Sequence, residues 1–270
     1  RISLGNNDSS GATTNTIFGR LAGEDLASGG LSNTLIGSDA GKNITTGDHN
    51  TAVGDLALQT SVDGDHNTCI GSAAGALFEA ADNTGHNTYI GSSTGYYNAT
   101  GLNNTYVGSY TGFGASGQSN SGNTAVGKDA LLAITDGTYN VAVGLSAADS
   151  LTGGDFNTIV GRAAGAAITT MDSMTLIGHM AGEVIDNTAA NGTVAIGRDA
   201  LRALTSGGGN TAVGYQSMTT LTTGDNNTAL GYNALYTDDT GNESTAIGRL
   251  CMYNQASDAD EDTGNTGVGS

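Results

Sequence analysis

The sequence predicts an all-β fold, a parallel β-solenoid of about sixteen rungs with ~17 residues in each. Three observations carry that prediction. A short phrase closing on glycine recurs at Gly5, Gly19, Gly37, Gly54, Gly71, Gly91, Gly108, Gly127, Gly144, Gly161, Gly178, Gly197, Gly214, Gly231, Gly248 and Gly269, and nine of the fifteen gaps are seventeen residues long. Within the phrase, Thr stands three residues before the glycine in thirteen copies and Asn four before it in twelve. The 270 residues include 44 Gly, no Pro and no Trp, and only 13% are charged. That composition does not fill one large interior, and a unit this short cannot bury its apolar face alone, so the copies must stack.

Each part of a rung has a local reason. Gly-Asp or Gly-Asn pairs such as Gly47-Asp48 and Gly64-Asp65 open it as a turn. Three strand residues follow, rich in β-branched side chains, and the glycine makes a corner. The residue before the glycine is large and apolar, as in Val53, Ile70 and Ile90, and reads as pointing into a core with Thr51, Thr68 and Thr88 on its face. Asn and Thr, repeated rung after rung, are expected to form ladders hydrogen-bonded to the copies above and below. Three residues beyond the glycine the side chain is small, Ala in ten copies and otherwise Thr94, Thr111, Ser217 or Cys251. Length varies mainly after that, for example over residues 113–121 and 254–263, so the variable loops should share one side.

The middle strand residue should then face away from the core, yet it is Ala52, Cys69, Tyr89, Tyr106, Ile159 or Leu176 and hardly ever charged. Both faces need cover, and the simplest cover is another copy in a homotrimer; a second turn of one thick solenoid is the alternative. A helical or leucine-rich repeat competes, since residues 73–80 could make one helical turn, but abundant Gly and scarce charge oppose it.

A formal charge of −18 with eight Lys and Arg excludes nucleic acid and anionic membrane as natural partners, since both require a basic footprint. No apolar run reaches the length of a membrane span, so membrane insertion is not expected. The phrase is cut at both termini, and residues 1–270 read as a single repeat region from a longer fibre protein.

Asn123-Thr124-Ala125-Val126-Gly127-Lys128-Asp129-Ala130-Leu131 and Asn227-Thr228-Ala229-Leu230-Gly231-Tyr232-Asn233-Ala234-Leu235 resemble repeats of phage tail-fibre and bacterial surface fibre proteins. Val194-Ala195-Ile196-Gly197 is similar, more distantly, to the head repeats of trimeric autotransporter adhesins, whose period is shorter. The resemblance covers essentially the whole chain. It implies a trimeric, extracellular β-solenoid fibre with an attachment role.

Motifs that look chemical mostly dissolve into the repeat. Gly91-Ser92-Ser93-Thr94-Gly95 matches a nucleophile elbow, but Gly37-Ser38-Asp39-Ala40-Gly41 is its counterpart in another copy. Gly112-Phe113-Gly114-Ala115-Ser116-Gly117 matches a dinucleotide fingerprint without the helix such a site needs. The loop bearing Asp258, Asp260, Glu261 and Asp262 offers hard oxygen ligands for calcium, although no Glu closes an EF-hand, and a solvated acidic loop is the plainer reading. His49, His66 and His86 share one place in three successive rungs, which reads as exposed turn positions more readily than as a metal site. Cys69 and Cys251 sit too many rungs apart to pair. Tyr96, Tyr97, Tyr110 and Phe113 form an aromatic cluster suited to a cell-surface glycan or receptor, with ladder stacking as its structural counterpart.

The expected function is therefore a non-enzymatic structural or adhesive fibre segment that spaces or presents a receptor-binding tip. A self-assembling filament joined head to tail is the second reading, and a repeat array binding glycan or ice the third. Ice is disfavoured here because Thr shares a face with Val or Ile read as buried.

Overall fold

The computed structural model describes residues 14–26, 29–79, 84–117, 119–255 and 264–270. It is an all-β parallel solenoid of about fourteen turns, with one 3-10 turn at Thr188–Ala190 and no α-helix among the described residues. The phrase that ends at Gly5 lies outside them. The chain forms two compact units, residues 1–138 and 139–270.

In the first unit β1 (Thr16–Phe18), β2 (Thr34–Ile36), β3 (Thr51–Val53), β4 (Thr68–Ile70), β5 (Thr88–Ile90), β6 (Thr105–Val107) and β7 (Thr124–Val126) pair in parallel, each with its sequence neighbour. The second unit repeats the arrangement with β8 (Val141–Val143), β9 (Thr158–Val160), β10 (Thr175–Ile177), β11 (Val194–Ile196), β12 (Thr211–Val213), β13 (Thr228–Leu230), β14 (Thr245–Ile247) and β15 (Thr266–Val268). Register follows the repeat, so Thr51 lies opposite Thr68 and Val53 opposite Ile70.

The strand faces are the reverse of the sequence expectation. Ala52, Cys69, Tyr89, Tyr106, Ile159 and Leu176, the middle residues, are fully buried. Val126 and Ile247, the residues before the corner, are each 38% exposed, and the strand threonines share that outer face. With three residues per strand, two side chains take one face and one takes the other. The pair reads as the apolar face by volume, but the interior is so narrow that single side chains fill it. Among the described residues no strand-threonine hydroxyl bonds to its copy, so the ladder expectation fails for Thr. The reversal also removes the ground on which ice was disfavoured.

Asn keeps its predicted ladder. The Asn50 amide donates to Asn33 Oδ1 (2.9 Å), Asn50 Nδ2 donates to the Gly64 carbonyl (2.7 Å), and Asn50 Oδ1 accepts the Asn67 amide (3.0 Å). Each buried asparagine thus satisfies backbone groups of the adjoining rung that the turn leaves without strand partners.

Two further columns complete the core. The small residue three beyond the corner, such as Ala40, Ala57 or Ala164, is fully buried. Seven beyond it lie Ile44, Phe78, Ile134, Leu151, Ile168, Ile185, Leu204 and Leu221, also fully buried. Each contributes about 1.5–3 kcal/mol by leaving water.

The corner glycine is required by geometry. Gly197 has φ of 137°, which only glycine adopts freely, and a Cβ there would overlap the Gly214 carbonyl oxygen of the next rung. The residue four beyond the corner is also left-handed, as at Gly165 (φ 54°) and Leu201 (φ 49°).

Candidate interaction face

The outer face of each strand is bounded by two columns of side chains. Five residues before the corner glycine stands what we term the entry column; one residue after it stands the exit column. The entry column holds His49, His66 and His86, whose rings stack at 4.9 and 5.0 Å, and in the second unit Tyr139 stacked on Phe156 at 5.4 Å. These rings are exposed, Tyr139 by 60% and Phe156 by 62%. The histidines are therefore solvent-facing turn residues, and no group of three or more His, Cys, Asp or Glu side chains able to hold a metal occurs among the described residues.

The turn residue preceding the entry column explains the Gly-Asp signal. Asp65 Oδ1 accepts the Asp48 amide at 2.5 Å, Asp172 Oδ1 the Asp155 amide at 2.7 Å and Asp225 Oδ1 the Gly208 amide at 2.6 Å. These carboxylates tie turn to turn.

From Arg162 to Arg249 the exit column is basic and aromatic. Arg162 Nη1 lies 3.0 Å from His179 Nε2; Arg198 packs over Tyr215, Tyr215 stacks on Tyr232 at 5.2 Å, and Arg249 packs over Tyr232. Arg20 and Lys128 occupy the same column in the first unit, where they pair with Asp39 and Asp129. Five of the eight Lys and Arg residues of the chain thus directly follow a corner glycine. Such exposed cation–π contacts are worth about 0.5–1 kcal/mol each.

The four glycan candidates come together. Tyr96 meets Tyr97 edge-on at 4.7 Å and stacks on Phe113 at 5.5 Å, Tyr97 meets Phe113 edge-on at 5.1 Å, and Tyr110 lies 5.5 Å from Phe113. Tyr110 is 43% exposed and the other three are half-buried. Their companions in sequence, Tyr89 and Tyr106, do not belong to this patch. They stack at 5.4 Å inside the solenoid, where Tyr89 Oη accepts from Asn98 Nδ2 (2.7 Å) and Tyr106 Oη donates to Asn120 Oδ1 (2.5 Å). Burial pushes both phenols well above the usual tyrosine range, with Tyr106 adding to the effect on Tyr89. Neither Asn98, which stands seven residues beyond its corner glycine, nor Asn120, in a loop of variable length, was expected as a partner.

Asp258, Asp260, Glu261 and Asp262 lie outside the described residues. Cys69 and Cys251 are free thiols, both buried, and burial raises the Cys69 thiol far above its ordinary range. Beside Ser92 and Ser93 of the elbow-like stretch, the Thr94 hydroxyl donates to the Gly108 carbonyl at 2.5 Å. A polar groove of about 490 Å³ among the loops of the second unit is lined by Asn187, Ala189, Ser206, Thr223, Asp225 and Asn242. No helix among the described residues is long and apolar enough to cross a membrane. Comparison of the chain with family models, with characterised proteins and with solved structures gives no match.

Proposed function

We propose that the chain is a non-enzymatic structural segment of an extracellular fibre, working as a parallel homotrimer and serving to space or present an attachment tip. The observation that carries this reading is the half-exposed Val and Ile column at the end of nearly every strand. Val53, Ile70, Ile90 and Val126 in one unit, and Val213, Leu230 and Ile247 in the other, repeat in register along the outer face. An apolar stripe repeated in register within each unit of an acidic chain is the mark of an interface, and a second copy offers a stripe of the same spacing. The interior is filled by Asn ladders, small side chains and a column of large apolar ones, a packing that supports stiffness. Sedimentation equilibrium combined with negative-stain imaging tests it: trimers of fixed length are the expected result. A monomer would overturn the proposal, and a monomer showing thermal hysteresis would assign the exposed Thr and Val columns to ice.

A second reading concerns the attachment role itself. The contact of Tyr96, Tyr97, Tyr110 and Phe113 in one patch favours a glycan site, because ring faces stack on the C–H faces of sugars while the phenol oxygens accept and donate to hydroxyls.

A further inference from the structure

Resting on the self-associating reading above, we infer that neighbouring copies pack parallel and in register, the entry column of one against the exit column of the next, rung for rung. The inference starts from backbone strain. Every described entry residue in a rung from Ser32 to Glu243 is left-handed, with φ of 58° at His49, 56° at Tyr139, 59° at Phe156 and 58° at Glu243. Glycine or asparagine fills such a position at least cost, and Gly122, Gly192, Gly209, Asn103 and Asn226 do so. Tyr, Phe and Glu are disfavoured there locally, and within the chain the rings of this column stack on one another.

The entry and exit residues of a rung vary together. His49 is matched by Asp55 and Glu243 by Arg249, two pairs that can carry opposite charge; Phe156 is matched by Arg162, a ring and a cation. In three rungs with a long exit residue the entry residue is glycine, Gly122 with Lys128, Gly192 with Arg198 and Gly209 with Tyr215, whereas Arg20 is matched by Thr14, Leu145 by Tyr139 and Tyr232 by Asn226. Where the entry residue is a histidine ring without a charged match, the exit residue is Ser72 or Ser92. No described rung carries like charges in the two columns. Yet the members of a pair stand on opposite flanks of one strand, six residues apart, and cannot meet within the chain.

Within each unit, rotation about an axis parallel to its stack of rungs brings them together. Such a rotation leaves the height of each rung unchanged, and it sets the entry flank of one copy beside the exit flank of its neighbour, for two copies or three. It also lays the Thr column of one copy on the Val and Ile column of the next. A two-fold axis across the stack would instead reverse the rung order and lose every pairing.

Paired cysteines test this arrangement. The background is Cys69→Ala with Cys251→Ala, positions where Ala52 and Ala234 stand in other rungs. Glu243→Cys, Arg249→Cys and the combination are treated with a short bis-maleimide and resolved on a denaturing gel, with sedimentation of untreated samples alongside. Both residues are exposed, so the fold tolerates the changes. The combination should link copies strongly while each single variant stays unlinked. Oligomers in which Glu243→Cys or Arg249→Cys links to itself, or in which the combination links no better, overturn the pairing and leave self-association standing. Sedimentation at monomer mass overturns both. As a check independent of linking, Glu243→Arg or Arg249→Glu alone should weaken self-association several-fold, and the two together should restore it.

Discussion

Asn140 Oδ1 accepts two hydrogen bonds from Asn157, one from its backbone amide at 3.0 Å and one from its side chain at 2.9 Å, and Asn157 in turn reaches the Met171 carbonyl at 2.8 Å and the Met174 amide at 2.9 Å. One residue type thereby fastens turn to turn wherever it fills this place, which Met174, Thr193 and Ser244 take in three described rungs. Asn157→Ala strands buried backbone groups in two directions, and unfolding should be easier by about 2–4 kcal/mol. Chemical denaturation monitored by circular dichroism measures it. Asn157→Asp should be no milder, because it keeps the acceptor but loses the donor to Met171 and places a charge in the interior.

Corner and loop glycines differ in kind. Gly197→Ala places a methyl against the Gly214 carbonyl in a conformation closed to alanine, and a loss above about 3 kcal/mol is expected. Gly192→Ala, with φ of 78° and open space around it, should cost only about 1 kcal/mol. Parallel thermal melts of the two variants separate conformational strain from steric overlap.

Replacing the outer apolar column should leave the solenoid intact. For Ile247→Lys, 38% exposed in one chain, we expect an unchanged far-ultraviolet spectrum and loss of self-association. The midpoint of melting should also lose its dependence on protein concentration. Unfolding of the variant at every concentration would place Ile247 in the interior instead.

Alkaline stability follows from the buried thiol. Cys69 ionises near its ordinary value of 9.0 in the unfolded chain but much higher in the folded one, because burial penalises the thiolate. Between those values the folded state retains a proton that the unfolded state has lost, so stability is intact below about pH 9 and falls as pH rises further. Cys69→Ala should flatten the decline in denaturation free energy above pH 9. The folded wild-type thiol should likewise resist alkylation at pH 8.

Tyr110→Ala removes the most exposed ring of the aromatic patch, and Tyr96→Ala the one that touches both Tyr97 and Phe113. Each should lower retention on immobilised glycans while shifting stability by about 1 kcal/mol or less for Tyr110. Equal retention by wild type and both variants would assign the patch to packing alone.

Much of the fold was legible from the period, because corner glycine, buried Asn and small Ala each answer to one backbone requirement that recurs every ~17 residues. The inward face of the strand was not. Val53 outranks Ala52 in hydrophobicity, and nothing in a three-residue strand says that the interior has room for only the middle side chain. The buried column from Ile44 to Leu221 was also missed, although its spacing from the corner is constant. Asn98 and Asp238 interrupt it with polar groups, which bond to the Gly101 and Gly241 amides and so fit the same place. The left-handed entry column was missed too: Gly122, Gly192, Gly209, Asn103 and Asn226 mark it, but Tyr139, Phe156 and Glu243 at the same place are poor markers of that conformation.

The uniform corner also makes length a heritable variable that changes in whole steps. Removing residues 55–71 would join Gly54 to Ser72, a dipeptide already present at Gly71-Ser72, and the strand before the joint would meet the corner after it in native register. No new backbone conformation is needed, so a rung can be subtracted or added at a time. Reach, in such a molecule, can be tuned by copy number without redesigning a single contact.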